Sequence, residues 1–127
     1  MLRPRNDEGY IVIVERMPPR AKTAFLAELA NARTAETSQR FWAADERAHI
    51  LSQPWPWPNT WSHAAMLARA WREGDRVEAV GQVIRLLVAG PGSALGKYPE
   101  GNTGRARIGI TRRMPVPADL AAVLAED

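Results

Sequence analysis

Two histidines and one glutamate have the types and spacing of a metal site. Glu46 and His49 lie three residues apart, which places both side chains on one face of a helix. His63, the only other histidine, begins the next predicted helix. If the rigid connection folds that helix back antiparallel, His63 faces His49, and two imidazoles with one carboxylate suit iron(II) or, in a related set, zinc. We therefore predict Glu46, His49 and His63 as ligands of a divalent metal.

The same residues allow two other roles. Each histidine can form hydrogen bonds inside a helix interface, or Glu46, His49 and His63 can act as catalytic acids and bases. The chain contains no cysteine, which excludes thiol nucleophiles, disulfides, iron–sulfur clusters and thiolate zinc sites.

Three tryptophans lie on the connection between the two histidine-bearing helices. Trp55 and Trp57 alternate with prolines over residues 54–58, and Trp61 follows closely. Rings held in this way lose little entropy when they bind a flat or apolar molecule. The alternative is that they cover the core of a small bundle.

A turn-rich loop and a basic segment form a second candidate site. Residues 99–104 include the run Gly-Asn-Thr-Gly, in which Asn102 is the asparagine, so free amides there could hold an anion. Arg105 and Arg107 follow directly. We predict that Trp55, Trp57 and Trp61 form the apolar wall of a pocket for a small acidic or aromatic ligand. Asn102, Arg105 or Arg107 would supply its polar contacts.

The positive charge of the chain is local. Seventeen basic and fourteen acidic residues give a net charge of +3. Residues 91–113 carry +4, so the rest of the chain carries −1. Because this patch is small and lacks interleaved aromatic residues, it argues against nucleic acid as a partner.

Length and composition indicate one soluble domain over residues 1–127. No apolar run approaches the length of a membrane span, and the first residues do not resemble a signal peptide, so we expect a cytoplasmic protein. Within the domain we expect an N-terminal extension or strand over 1–18 and helical hairpins over 19–90. A loop, a strand and a short helix complete it over 91–127.

Apolar periodicity and capping residues predict five helices. They cover about 20–33 and 39–51, then run from a cap at Asn59 or Thr60 to Glu73, from a cap at Asp75 to the breaker 90–92, and over 118–125. Alternating prolines predict a non-helical segment at 54–58. The β-branched run 10–14 and the alternating run 105–111 predict strands that can pair in a two-stranded sheet.

The fold that follows is a mostly α, compact bundle of two helix-turn-helix hairpins. A shift of 38 residues aligns Leu29 with Leu67, Ala32 with Ala70 and Arg47 with Arg85. Such internal similarity is typical of tetratricopeptide-like units.

Several motifs together resemble a bacterial domain-of-unknown-function family, numbered 3703. They are Glu46-Arg47-Ala48-His49, His63-x-x-Met66-Leu67, Gly81-Gln82 with Arg85, the 99–104 loop and the Met-Pro-x-Pro run at 114–117. The resemblance covers roughly the last hundred residues. It implies a small, mostly helical cytoplasmic protein without an established activity. The family usually carries a further histidine at the position of Asn59.

Two functions from different classes remain open. The first is binding of a metal ion or a small acidic or aromatic ligand between helices, which could support a small isomerase, cyclase or lyase. The second is a non-catalytic helical module for protein interaction. An exposed apolar stripe on the helix after Asp75 would favour the module, and a homodimer burying that stripe would make it a self-assembly surface.

Overall fold

The computed structural model describes residues 14–125, in which the chain forms five helices. They are α1 (Pro19–Arg33), α2 (Ser38–Ser52), α3 (Pro56–Glu73), α4 (Arg76–Ala94) and α5 (Ala118–Ala125). Helices α1 and α2 form one hairpin and α3 and α4 another, while α2 packs against α3 to join the two. The mostly α fold is therefore confirmed, and its tetratricopeptide-like character stays a prediction. None of the helices in the described part is long and apolar enough to cross a membrane.

Local signals at several helix ends act as the sequence predicts. Gly74 ends α3 with φ 70, a left-handed conformation that glycine adopts without steric penalty. The Asp75 side chain then caps α4 by accepting a hydrogen bond from the Glu78 N–H. The turn between α3 and α4 is thus fixed by adjacent residues.

Two predicted helix boundaries are wrong, both at prolines. Helix α3 begins at Pro56, so Pro56 and Pro58 lie in its first turn, where the missing amide donors would have no partner in the helix. Helix α4 continues through Pro91 to Ala94. The turn after Pro91 is held by the Ser93 hydroxyl, which donates to the Gln53 carbonyl on α2. Proline has no N–H to pair with the Leu87 carbonyl, so α4 continues past Pro91 with one helical hydrogen bond fewer.

The strand predicted over 105–111 is also wrong, because this segment is an irregular loop. Side chains form the hydrogen bonds with its backbone that a neighbouring strand would form in a sheet. The Ala106 N–H donates to the Glu78 carboxylate on α4, and the Gly109 carbonyl accepts from the Asn102 amide. Once these groups are paired, the segment gains little from joining a sheet.

Most of the partner strand predicted over 10–14 lies outside the described residues. Val14 alone is described, and its carbonyl accepts the Met17 N–H in a turn. The Val14 side chain is buried. Within residues 14–125 there is no strand, so the two-stranded sheet is not confirmed.

Two apolar clusters hold the helices together. The first joins α1, α2 and α5 through Phe25, Leu51 and Leu120. The second joins α2, α3 and the start of α4 through Trp42, Met66 and Ala79. Beside these clusters, several buried side chains at the end of α2 and the start of α3 are polar, among them His49, Asn59, Ser62 and His63.

The 95–117 loop is packed tightly onto α4 at Gly81. A Cβ atom at this position would lie 2.2 Å from the Ala106 Cβ and 3.1 Å from its Cα. Alanine normally stabilises a helix interior by about 1 kcal/mol relative to glycine. We expect Gly81→Ala to destabilise the protein by about 1–3 kcal/mol, because the added methyl must displace the loop. Urea denaturation measures this difference.

The exposed Ala68 on α3 provides the control, since Ala68→Gly reports the ordinary helix preference in this chain. Ala106→Gly combined with Gly81→Ala should recover part of the lost stability. A Gly81→Ala variant more stable than the parent would show that the loop does not lie against α4.

Candidate functional site

A cavity of about 350 Å³ lies between the end of α2, the start of α3, the second half of α4 and the 95–117 loop. Its polar lining comes from all four elements. Its polar side chains include His49, Gln53, Asn59, His63, Arg85, Lys97 and Asn102. Both histidines and these other polar groups therefore line one cavity.

The rings of His49 and His63 pack edge to face on the wall of this cavity. Their ring centroids are 4.5 Å apart, with an interplanar angle of 62°. Both residues are almost fully buried. The meeting of the two rings follows the sequence expectation, because the short 53–55 connection returns α3 along α2 and sets the start of one helix beside the end of the other.

The hydrogen bonds around His63 fix which nitrogen carries its proton. The Gln82 Nε2 donates to the Glu78 carboxylate and to the Gly104 carbonyl, so its amide orientation is set. The Gln82 Oε1 lies 2.8 Å from the His63 Nδ1 and can only accept. Nδ1 therefore carries the proton, and the His63 Nε2 has a lone pair.

The same reasoning applies to His49. The Ser62 hydroxyl donates its only proton to the Asn59 carbonyl at 2.7 Å. Its oxygen must then accept the proton on the His49 Nδ1, which lies 3.1 Å away. The Nε2 of His49 is thus the second bare lone pair in the cavity. Among the described residues, neither Nε2 has a hydrogen-bond donor.

Burial keeps both imidazoles neutral. It lowers the pKa of His63 to about 4, despite the opposing hydrogen bond to Gln82. Burial, reinforced by His63 and by the positive charge of Arg85, holds the pKa of His49 well below its ordinary value. At neutral pH both rings therefore present Nε2 as an acceptor or a metal ligand.

Asn59 adds a third unpaired acceptor. It lies one helical turn before His63 on α3 and is almost fully buried on the cavity wall. Its Oδ1 has no hydrogen-bond partner within the described part of the chain. A buried amide oxygen without a donor is unfavourable unless a ligand, an ion or a water supplies one.

Glu46 does not join the two histidines. Its carboxylate accepts from the Arg105 guanidinium at 3.2 Å, and burial outweighs that contact to raise the pKa of Glu46. Among the described residues, no group of three histidine, aspartate or glutamate side chains could hold one metal ion. Glu46 thus pairs with Arg105 and does not form a three-residue metal-binding group with His49 and His63.

The two predicted arginines serve to attach the loop to the helices. Arg105 donates to the buried Glu78 carboxylate at 2.5 Å, and its guanidinium lies 3.7 Å from the centre of the Trp42 ring. Arg107 forms an ion pair with Asp75 at the start of α4. Neither arginine lines the cavity.

The three predicted tryptophans also lie away from the cavity lining. Trp55 packs against the core cluster of α1, α2 and α5. Trp57 is 69% exposed and Trp61 42% exposed. The structure therefore does not bring these rings together with Arg105 and Arg107 in one pocket.

Asn102 does line the cavity, but two amide N–H groups of the loop around it already form hydrogen bonds within the protein. The Gly104 N–H donates to the Asn102 Oδ1, and the Gly101 N–H donates to the Gln53 Oε1. Gln53 also donates to the Pro99 carbonyl. These bonds occupy two of the amides proposed for an anion and anchor the loop over the histidines.

Sequence reasoning missed Gln82, Ser62 and Arg85. On α4, Glu78, Gln82 and Arg85 lie four and three residues apart, which places them on one helical face. That spacing was a usable signal of a polar inner face. Ser62 gave none, because its role depends on a partner thirteen residues earlier.

Comparison with known proteins agrees with the family resemblance. Residues 19–124 match the family model described as "Protein of unknown function (DUF3703)". No curated protein and no solved structure matches the chain.

Proposed function

The chain belongs to the DUF3703 family of proteins of unknown function, and from its site we propose that it binds a divalent transition-metal ion through His49 and His63. One observation carries the proposal. Two imidazole rings that line the same cavity both lack a donor at Nε2, and their centroids are 4.5 Å apart. Neutral imidazoles are ligands for zinc, copper, nickel and iron rather than for magnesium or calcium.

The surroundings of both rings support this role. Metal-binding histidines usually donate their other ring N–H to a fixed acceptor, which orients the ring. Gln82 and Ser62 are such acceptors for His63 and His49. The unpaired Asn59 Oδ1 is the third ligand of the proposed site, in place of the predicted Glu46.

The rest of the cavity suits a small anion bound beside the metal. Arg85 and Lys97 line the same space and bring positive charge to it. The guanidinium of Arg85 donates to the Gly81 and Ile108 carbonyls, which hold it in place. A small acidic molecule could therefore complete the metal coordination and pair with these cations.

Isothermal titration calorimetry with Zn²⁺, Ni²⁺ and Cu²⁺ tests the proposal on the untagged full chain. Its two histidines are the only imidazoles present, so no other histidine can bind the metal. We expect His49→Gln and His63→Gln each to weaken binding by at least about tenfold. Asn59→His, which adds a third imidazole on the same helix, should strengthen it.

Glu46→Gln is the matched control, since the structure pairs Glu46 with Arg105 and not with the histidines. It should bind the metal as the parent does. Equal metal affinity in the parent and in both histidine variants would overturn the proposal.

A further inference from the structure

Helix α4 is amphipathic, but its polar face is buried and its apolar face is exposed, the reverse of a normal surface helix. Its face toward the bundle carries Glu78, Gln82 and Arg85, which are at most 7% exposed. Its outer face carries six apolar side chains that are 46–73% exposed, here called the apolar stripe. They are Val77, Val80, Val83, Ile84, Leu87 and Val88.

The stripe lies at the edge of the described bundle. Helix α4 packs against α3 and the 95–117 loop, and no other described helix packs extensively against it. The stripe spans about 18 Å along the helix axis. Its six side chains expose on the order of 600 Å², and Trp71 beside them on α3 brings this near the ~800 Å² that each partner buries in a standard interface.

The spacing within the stripe matches that of a two-stranded helical seam. Val77, Val80, Ile84 and Leu87 follow one another at intervals of three, four and three residues. β-Branched residues occupy both first positions of the heptads, and the two fourth positions hold Val80 and Leu87. The second heptad, with Ile84 and Leu87, has the combination that favours pairing of two helices. The charged residues Glu78 and Arg85 point inward, so the stripe itself carries no charge.

We infer that the apolar stripe is the interface of a homodimer, in which α4 of one copy packs against α4 of a second copy. The stripe is complementary to itself, because its uncharged apolar side chains can pack against the same side chains of a second copy at heptad spacing. The inner face of the same helix holds Gln82 and Arg85 at the cavity, so the dimer supports the back of the site. This inference does not depend on metal binding.

Sedimentation equilibrium of the full chain, from micromolar to near-millimolar concentrations, tests the inference. We expect a dimer, and we expect Ile84→Gln with Leu87→Gln to raise its dissociation constant by at least about tenfold. Trp57→Gln is the control, because it removes an equally exposed apolar side chain outside the stripe. Circular dichroism confirms that the variants keep their helices.

A second measurement uses the absence of cysteine. Ile84→Cys should form a disulfide between two copies under mild oxidation, whereas Trp57→Cys should not. A parent that stays monomeric at every concentration would overturn the inference. So would a dimer that the Ile84 and Leu87 substitutions leave intact, or a stripe that associates only with a different protein.

Discussion

Replacing Glu78 with glutamine is expected to destabilise the protein by about 3–5 kcal/mol. The Glu78 carboxylate is fully buried and accepts hydrogen bonds from Arg105, Gln82 and the Ala106 N–H. Burial tends to raise the pKa of Glu78, but these three bonds outweigh it and hold the pKa below its ordinary value. Glutamine would remove the buried one of the two carboxylates that pair with Arg105, leaving only Glu46. Its amide N–H group would also face the donors that now point at the Glu78 carboxylate.

Glu73→Gln is the matched control, because Glu73 also accepts three hydrogen bonds, from Ser38, Trp42 and Arg69, but is partly exposed. We expect it to reduce the free energy of unfolding by about 1 kcal/mol. Amide exchange at Ala106 gives a second readout, since that N–H should lose protection in Glu78→Gln. Equal effects of the two substitutions would show that Glu78 is not the buried anchor of the loop.

Asp45→Asn is expected to remove a large pH dependence of stability. Asp45 is fully buried, and neither carboxylate oxygen has a hydrogen-bond partner in the described residues. Burial, with a smaller contribution from Glu46, raises the pKa of Asp45 from 3.8 to about 8. Between pH 4 and 8 the folded protein therefore keeps a proton on Asp45, whereas the unfolded chain has already released it.

The sign follows from that proton. The Asp45 contribution to stability is complete below about pH 4 and is lost as the pH rises to 8, at about 1.4 kcal/mol per pH unit. Asparagine does not titrate, so Asp45→Asn should gain on the order of 4 kcal/mol over the parent between pH 5 and 8. Thermal or urea unfolding across this range measures the difference between the two proteins.

Asp119→Asn serves as the control for this comparison. Asp119 is exposed and paired with Arg47, and that hydrogen bond lowers its pKa, so it does not titrate between pH 5 and 8. Its stability curve should run parallel to that of the parent. If the Asp45→Asn curve is parallel as well, Asp45 is ionised in the folded protein at neutral pH.

The sequence was sufficient to predict features that depend on a single helix or a single turn. The Asp75 cap, the end of α3 at Glu73 and the bounds of α5 depend on neighbouring residues and were predicted correctly. The approach of His63 to His49 also followed from the short connection between their helices. Local preferences and loop length carry this information without reference to the rest of the chain.

The remaining parts of the site depend on distant partners. Glu46 pairs with Arg105, 59 positions later in the chain, and the spacing of Glu46 and His49 gave no sign of that partner. On α4, the apolar periodicity predicted a helix but did not show that its apolar face points outward, and only the spacing of its polar residues indicated a polar inner face. Asn59 was assigned a capping role, because its position on the cavity wall depends on α4 and the loop.

The central claim is that both imidazoles present a bare Nε2 to one cavity and bind a metal there. Long-range ¹H–¹⁵N NMR of the ¹⁵N-labelled chain tests it without any substitution. We predict that Nδ1 carries the proton on both rings in the free protein, and that Zn²⁺ shifts both Nε2 signals while both Nδ1 protons remain. An Nε2 proton on either free ring, or Nε2 signals that saturating Zn²⁺ leaves unchanged, would contradict the account.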